Sequence, residues 1–223
     1  MLSVIIPTLQ AETTLPHTLD NLAPAGIVDE IIVADGGSTD RTAEIAERSG
    51  AKPISAARGR GPQLAAGAAA ATGDWFLFLH ADTVLSPGWE TEVSDFMHSP
   101  EAQNRAAVFT FALDDHSPSA VRLARAVAWR TRVLGLPYGD QGLLISRDLY
   151  ETLGGYRPIP LFEDVDLVQR VGKNRLVQLG TPAVTSAVRY RRDGYVKRSL
   201  RNLSCLALYF LGVPPRTLEK LYR

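Results

Sequence analysis

The sequence predicts an α/β fold, a mostly parallel, Rossmann-like sheet flanked by helices. Two observations carry that prediction. Short apolar runs alternate with helical patterns of roughly 10–15 residues through the first half of the chain, as βαβ units require. Residues 75–79, WFLFL, are also apolar without a break, as expected of a parallel strand covered on both faces.

The elements follow in order. Residues 2–6 read as the first strand, closed by Pro7. Leu15, Leu19 and Leu22 recur at helical spacing, and Pro16 fits only the first turn of that helix. Residues 30–34 (EIIVA) form the second strand, which runs into Asp35-Gly36-Gly37-Ser38. Ser38 or Thr39 is expected to cap a helix that continues to Ser49 and stops at Gly50. Residues 52–55 make a short third strand. Pro62 then opens an alanine-rich helix that Gly73 closes, and residues 74–79 form the fourth strand. The second half is more mixed. It reads as a strand at 106–112, a basic helix at 119–134, a strand at 142–146 and a helix at 164–173. Two short strands at 175–179 and 183–188 follow, then a last helix at 196–211. There is no repeat and no low-complexity linker, so residues 1–223 are expected to form a single domain.

Composition bounds the function. The 223 residues suffice for one large domain with a core. A hydrophobic share of 45% and a charged share of 22% are ordinary for a folded soluble protein. The single cysteine, Cys205, excludes an internal disulfide framework and fits a reducing compartment, so a cytoplasmic location is expected. The run at 2–6 is too short for a signal peptide, and no stretch approaches the roughly 20 apolar residues of a membrane span. The net charge of zero hides a split. Residues 1–120 carry 6 Lys and Arg against 16 Asp and Glu, whereas residues 121–223 carry 18 against 8. Either composition alone or a basic face that meets something anionic accounts for this. No nucleic-acid partner is expected.

In open α/β sheets, ligands bind beyond the carboxyl ends of the strands. That rule sets Pro7-Thr8, Asp35 and His80-Ala81-Asp82 along one rim. The motifs also form an ordered set: SVIIPT, EIIVADGGSTDRT, ATGDWFLFLHADT, YGDQG and FEDVDL. Together they resemble family 2 glycosyltransferases, which have the GT-A (nucleotide-diphospho-sugar transferase) fold, and the likeness covers nearly the whole chain. FLHADT, GLPYGDQG and the closing LRN and LGVPP bring it nearest to a small subgroup. That subgroup is named for association with radical-SAM and selenium-domain genes and is linked to arsenosugar biosynthesis.

The resemblance implies a division of labour, with residues 1–112 binding a nucleotide-sugar and residues 113–223 carrying the acceptor and catalytic side. It implies that Pro7, Thr8 and Asp35 meet the donor's base, while Gly36-Gly37 with Asp35 alternatively only shape a turn. Arg60, in Arg58-Gly59-Arg60-Gly61, would fork onto a phosphate or the base. His80-Ala81-Asp82 stands where the family usually has Asp-x-Asp. By resemblance, Ala81 and Asp82 meet the donor and Asp82 binds a divalent cation, Mn²⁺ or Mg²⁺, that bridges its diphosphate. His80 replaces the first acid and can serve as a second metal ligand, a substrate contact or a spectator. Asp164 would be the general base of an inverting transfer, oriented by Glu163. Gly139, Asp140 and Gln141 would meet the sugar or acceptor, a small molecule or a lipid-linked one.

Several residues depart from the family pattern. Gln10-Ala11 replace the usual Asn-Glu, with Glu12 one position late, and Ala65 stands where an Asn is expected. Asp166 and Arg170 should pair along one helix face. Asp114-Asp115-His116 has no strand-end context for metal binding. Arg189, Arg191, Arg192, Lys197, Arg198 and Arg201 read as a solvated edge, a clamp for diphosphate, or a peripheral membrane contact. A nucleotidyltransferase and a non-catalytic nucleotide-sugar-binding module are the competing readings. The first would want a Gly-rich basic loop after the first strand, where Thr8-Leu9-Gln10-Ala11 stand. A dehydrogenase would want G-x-G-x-x-G there.

Overall fold

Residues 1–222 are described by a computed structural model. In chain order the elements are β1 (Leu2–Thr8), α1 (Leu15–Leu22), β2 (Glu30–Asp35), α2 (Thr42–Arg48), β3 (Lys52–Ser55) and α3 (Arg60–Ala70). Next come β4 (Trp75–Phe78), β5 (Thr83–Leu85), α4 (Trp89–Met97), β6 (Ala106–Leu113), α5 (Pro118–Leu134) and β7 (Leu143–Ser146). The chain ends with α6 (Arg147–Thr152), α7 (Glu163–Val171), β8 (Leu176–Thr185), α8 (Val188–Asp193), α9 (Tyr195–Phe210) and α10 (Pro215–Tyr222). All eight strands join one sheet in the order β3-β2-β1-β4-β7-β6-β8-β5. β1 to β4 run parallel to their neighbours within that group, and β7 enters antiparallel between β4 and β6.

Side-chain alternation divides the core between the two faces of this sheet. Leu2, Val4 and Ile6 of β1, with Trp75 and Leu77 of β4, pack on the face covered by α1 and α4. Ile5, Phe76 and Phe78 point the other way, onto α3 and α7. The apolar run at 75–79 is thus covered on both faces, as its composition demands. β4's pairing with β1 ends at Ile5, before Pro7, so the missing proline N–H breaks no ladder bond on that side.

Several boundaries differ from expectation. Neither Ser38 nor Thr39 caps α2. Ser38 Oγ donates to Asp35, and Thr39 bonds Gln10. The Asp40 carboxylate instead accepts from the Thr42 N–H at the start of that helix. Gly73 does not stop α3, which ends at Ala70. The two short strands expected after α7 are one continuous strand, β8. It pairs with β6 through a register shift between Val108 and Thr110, which absorbs the Gly180-Thr181-Pro182 interruption. β5, α4, α6, α8 and α10 were not anticipated. Among the described residues, no helix is long and apolar enough to cross a membrane.

Candidate active site

Two polar clusters form at the carboxyl ends of the parallel strands. The first joins β1 to β2. Thr8 Oγ1 donates to Asp35 Oδ1 at 3.0 Å, and Asp35 also accepts from Gly37 N, Ser38 N and Ser38 Oγ at 3.0, 2.7 and 2.5 Å. Four donors occupy the roughly four acceptor positions of a carboxylate. The Asp35-to-Ser38 turn is therefore built by Asp35 itself, and a base would have to compete with Ser38 for it. Gln63 of α3 is buried beneath this turn and donates from Nε2 to Thr8 O at 2.5 Å and Ala34 O at 2.9 Å. A single glutamine in an alanine-rich helix gave no hint of this role. Gln10 ties the same corner to Ser38 and Thr39, and Glu12 is committed to Arg41.

The second cluster surrounds a pocket of about 110 Å³ lined by Arg60, His80, Asp82, Gly139, Asp140 and Asp164, with Arg189 and Arg198 on its far wall. Of the rim residues named from the sequence, His80 and Asp82 line this pocket, whereas Pro7, Thr8 and Asp35 belong to the first cluster. The first turn of α3 links the two, with Arg60 facing the pocket and Gln63 under the β1–β2 turn.

Asp164 opens α7 with Glu163. Phe162, just before them, has φ +65°, a strained value for a bulky residue. Its ring packs on Tyr209 at 5.0 Å, and its carbonyl accepts the Asp166 N–H. This kink turns the acid pair inward, at a helix N-terminus where carboxylates are favoured. Asp164 is 8% exposed. Its Oδ1 accepts from Val165 N at 2.8 Å and its Oδ2 from Gly139 N at 2.6 Å. Each oxygen keeps a lone pair for a substrate. Gly139 is needed for its missing Cβ: a methyl there would lie 2.7 Å from His80 Nε2 and 3.3 Å from Asp164 Oδ2.

Glu163, 1% exposed, pairs with Arg60 Nε at 2.8 Å. Burial pushes its carboxyl up to about 7, with Arg60 pulling the other way and the Asp164 charge adding to the rise. Burial likewise raises Asp140 to about 6, opposed by Arg130 and reinforced by Asp164 and Asp82. His80 is pushed down to about 4, first by burial and then by Arg60, against the pull of Asp82 and Asp164. A neutral imidazole at neutral pH keeps one ring nitrogen available as acceptor or ligand. Asp82 makes only a long contact, 3.3 Å, from Thr185 Oγ1. Among the described residues, Asp140 Oδ1, Arg198 Nε and Asn202 Oδ1 around this pocket have no hydrogen-bond partner although buried, and neither has Glu163 Oε2.

Not every expected contact reaches the pocket. Gln141 is 0% exposed and its amide is used internally, donating to Phe109 O and accepting from Thr131 Oγ1. It anchors the turn that presents Gly139 and Asp140 and does not face a ligand. Ala81 packs on the core. Asp166 pairs with Arg170, as its spacing predicts, and also with Arg157. Asp114 and Asp115 are structural. Asp114 accepts from Ala187 N, and Asp115 from Ser117 N and Tyr195 Oη, with Arg191 bridging both. The basic run is divided: Arg189, Arg191, Arg192 and Lys197 are exposed, as a solvated edge would be, whereas Arg198 is buried. Arg192, Arg198 and Arg201 converge on Asp193, and Arg198 is 6% exposed. Among the described residues, no three His, Cys, Asp or Glu side chains converge as a metal site. Asp82 and His80 both line the pocket and could ligate a cation there; the carboxylate suits Mn²⁺ or Mg²⁺, whereas the imidazole suits Mn²⁺ better than the harder Mg²⁺.

A family model, Glycosyl transferase family 2, matches residues 3–148. Among curated proteins, the chain is 36% identical over 94 residues to glucosyl-3-phosphoglycerate synthase of Mycobacterium tuberculosis, covering 37% of this chain and 29% of that protein. It is 34% identical over 133 residues to a PGL/p-HBAD biosynthesis glycosyltransferase of Mycobacterium bovis, covering 53% and 44%. These matches span less than half the length of either relative. Among solved structures, the M. tuberculosis synthase in complex with Mn²⁺, UDP and glucosyl-3-phosphoglycerate superposes with a TM-score of 0.61 at 24% identity, over 82% of this chain and 70% of that one. S. aureus TarS 1–349 gives 0.66 at 15% identity, over 99% and 69%. At these identities the structures speak to the fold, and they agree with the GT-A architecture expected from the sequence.

Proposed function

The chain belongs to glycosyl transferase family 2, and from that premise we propose that it is an inverting, metal-dependent glycosyltransferase. It moves a sugar from a nucleotide-diphospho-sugar, most simply a UDP-sugar, to a hydroxyl acceptor by single displacement. The observation that carries this reading is the setting of Asp164, which is buried, fixed by the Gly139 N–H, and open to the same pocket as His80 and Asp82. The synthase that resembles this chain was solved with Mn²⁺ and UDP, and also with Mg²⁺ and UDP, which supports the donor and the cation.

In this mechanism residues 1–112 hold the donor and residues 113–223 supply the base. Thr8 and Asp35 meet the nucleoside end, and Arg60, Arg189 and Arg198 surround the diphosphate. Mn²⁺ or Mg²⁺, held by Asp82 and His80, would offset the charge that grows on the leaving nucleoside diphosphate. Asp164 takes the proton of the acceptor hydroxyl as that oxygen attacks the anomeric carbon. The new carbon–oxygen bond forms opposite the breaking one, and the nucleoside diphosphate leaves with the electron pair. Glu163 holds Arg60 against the pocket, and that pairing keeps Glu163 itself from competing with Asp164 as a base. The nearness to the radical-SAM-associated subgroup rests on the motifs alone, and nothing in this pocket is specific to arsenic or selenium.

The test is a panel of nucleotide-sugars scored by thermal shift with and without Mn²⁺, followed by turnover of the best donor. Metal-dependent stabilisation by one donor, with release of its nucleoside diphosphate, is the expected result. Donor binding that ignores Mn²⁺, or binding without any turnover, would reject the metal role or the catalytic one.

A further inference from the structure

Beside the polar pocket lies a second, larger cavity of about 540 Å³ between α5 and α9. Its volume falls within the roughly 300–1,000 Å³ typical of small-molecule sites. Leu123 and Val127 of α5 and Leu200, Leu203 and Leu206 of α9 make its walls, and Trp129 stands at its edge, 60% exposed. Tyr138, Asp140, Tyr190 and Asn202 line both this cavity and the pocket of Asp164, so the two open into one another. At that neck Asp140 Oδ1 and Asn202 Oδ1 are buried with no hydrogen-bond partner among the described residues. A buried acceptor atom without a donor is unfavourable, so it marks a place for a ligand's hydroxyl groups.

We propose that the groove between α5 and α9 holds the hydrocarbon tail of an amphiphilic acceptor whose hydroxyl-bearing head sits at Asp164. The proposal rests on the transferase reading and names the acceptor class for the same site. The order of chemistry along the cavity carries it. A base lies at one end, hydrogen-bond acceptors line a narrow neck, and a trough walled mainly by Leu123, Val127, Leu200, Leu203 and Leu206 follows, with Arg122 and Arg130 also lining it. A purely polar acceptor would leave the trough wet, which an apolar wall disfavours.

The probes are 1-O-alkyl glycerols of four to ten carbons, used below their micelle concentrations on the full chain. The readout is tryptophan fluorescence. Trp75 and Trp89 are buried and act as a constant background, so Trp129 reports. The expected result is a blue shift with affinity that tightens about two- to fourfold per added methylene until the trough is filled. The exchanges Leu200→Glu and Leu203→Glu fall on exposed side chains, and each should remove the chain-length dependence. Circular dichroism and the melting temperature would show that these variants fold. Affinity that does not change with chain length overturns the proposal. So does a dimer in sedimentation that L203E dissociates, or binding to anionic phosphatidylglycerol vesicles without binding of the monomeric alkyl glycerols. Binding of UDP with Mn²⁺ is measured in parallel. Its loss would fall on the transferase reading, whereas failure of the alkyl chains with UDP binding intact falls on this inference alone.

Discussion

The two polar clusters at the strand ends are built from similar side chains and differ in how completely they are satisfied. Around Asp35, every carboxylate position is taken by Thr8, Ser38 or the backbone of the turn, and Gln63 closes the corner from below. Around Asp164, the hydrogen bonds fix orientation and stop there. Asp140, Asn202, Arg198 and Glu163 each keep a buried polar atom unanswered among the described residues. A satisfied polar cluster holds its own shape, so its removal should be felt first as stability, even at Asp35, where a donor base would have to displace Ser38. An unsatisfied one is poised for a ligand, and its removal should be felt as rate or binding.

The largest expected effect tests the second half of that contrast. Asp164→Asn keeps the size of the side chain and can keep one of its two bonds from Gly139 and Val165, but removes the base. Turnover should fall by about 10²–10⁴-fold, the usual contribution of a positioned base, with donor affinity unchanged by calorimetry. Weaker donor binding at near-normal rate would reject the assignment. Gly139→Ala comes next. The added methyl must displace His80 or Asp164, and a misplacement of this size costs about 10²-fold in kcat while the melting temperature barely moves. A large loss of stability with normal kcat would show that Gly139 serves packing only.

The first half of the contrast is tested by Gln63→Leu. It removes the bonds that Gln63 donates to the Thr8 and Ala34 carbonyls, leaving Thr8 O only its bond from Gly36 N, and should cost about 1–3 kcal/mol in urea unfolding. Wild-type stability in that variant would mean that the corner does not depend on Gln63. The smallest effect is a pH dependence. Glu163 titrates near 7 in the fold against 4.5 for an ordinary glutamate, so the folded chain holds the proton more tightly. Its contribution is therefore greatest below about pH 4.5 and is lost as pH rises through 7. The Glu163→Gln variant should gain on the wild type by on the order of 2 kcal/mol between pH 5 and pH 8. Parallel stability curves for the two proteins would indicate that Arg60 neutralises the buried charge in full.

What the sequence could show follows from the range of the interactions. The parallel half was legible because each strand there is an uninterrupted apolar run with a polar tip, and the rim rule needs only the strand ends. Asp164, Gly139, His80 and Asp82 were named as site candidates from motif order. Their arrangement in one pocket, with a glycine spared so that His80 and Asp164 can approach, could not be read from spacing. Gln141 misled because its motif neighbours do face the pocket while it turns into the core. The pairing of Arg192, Arg198 and Arg201 with Asp193 was hidden for a related reason. One acidic residue beside Arg192 looks local until α9 folds back to bring Arg198 and Arg201 onto it. Helix α4 was within reach, since Trp89, Val93 and Phe96 are buried at helical spacing. Strand β5, three residues long, carries too little pattern to be seen.

Gly61 has a consequence for any attempt to redesign the protein. A methyl at this position would lie 2.4 Å from Arg157 O and 2.6 Å from Ile159 O, so the start of α3 and the segment that leads into α7 are in backbone contact. That seam fixes the distance between the part of the chain carrying Arg60 and the part carrying Glu163. Lengthening the 157–159 segment, or enlarging any side chain along the seam, would pry the two apart. Libraries aimed at new acceptors should therefore leave this side untouched and vary the facing residues of α5 and α9, where side chains meet open space and the backbone has room to yield.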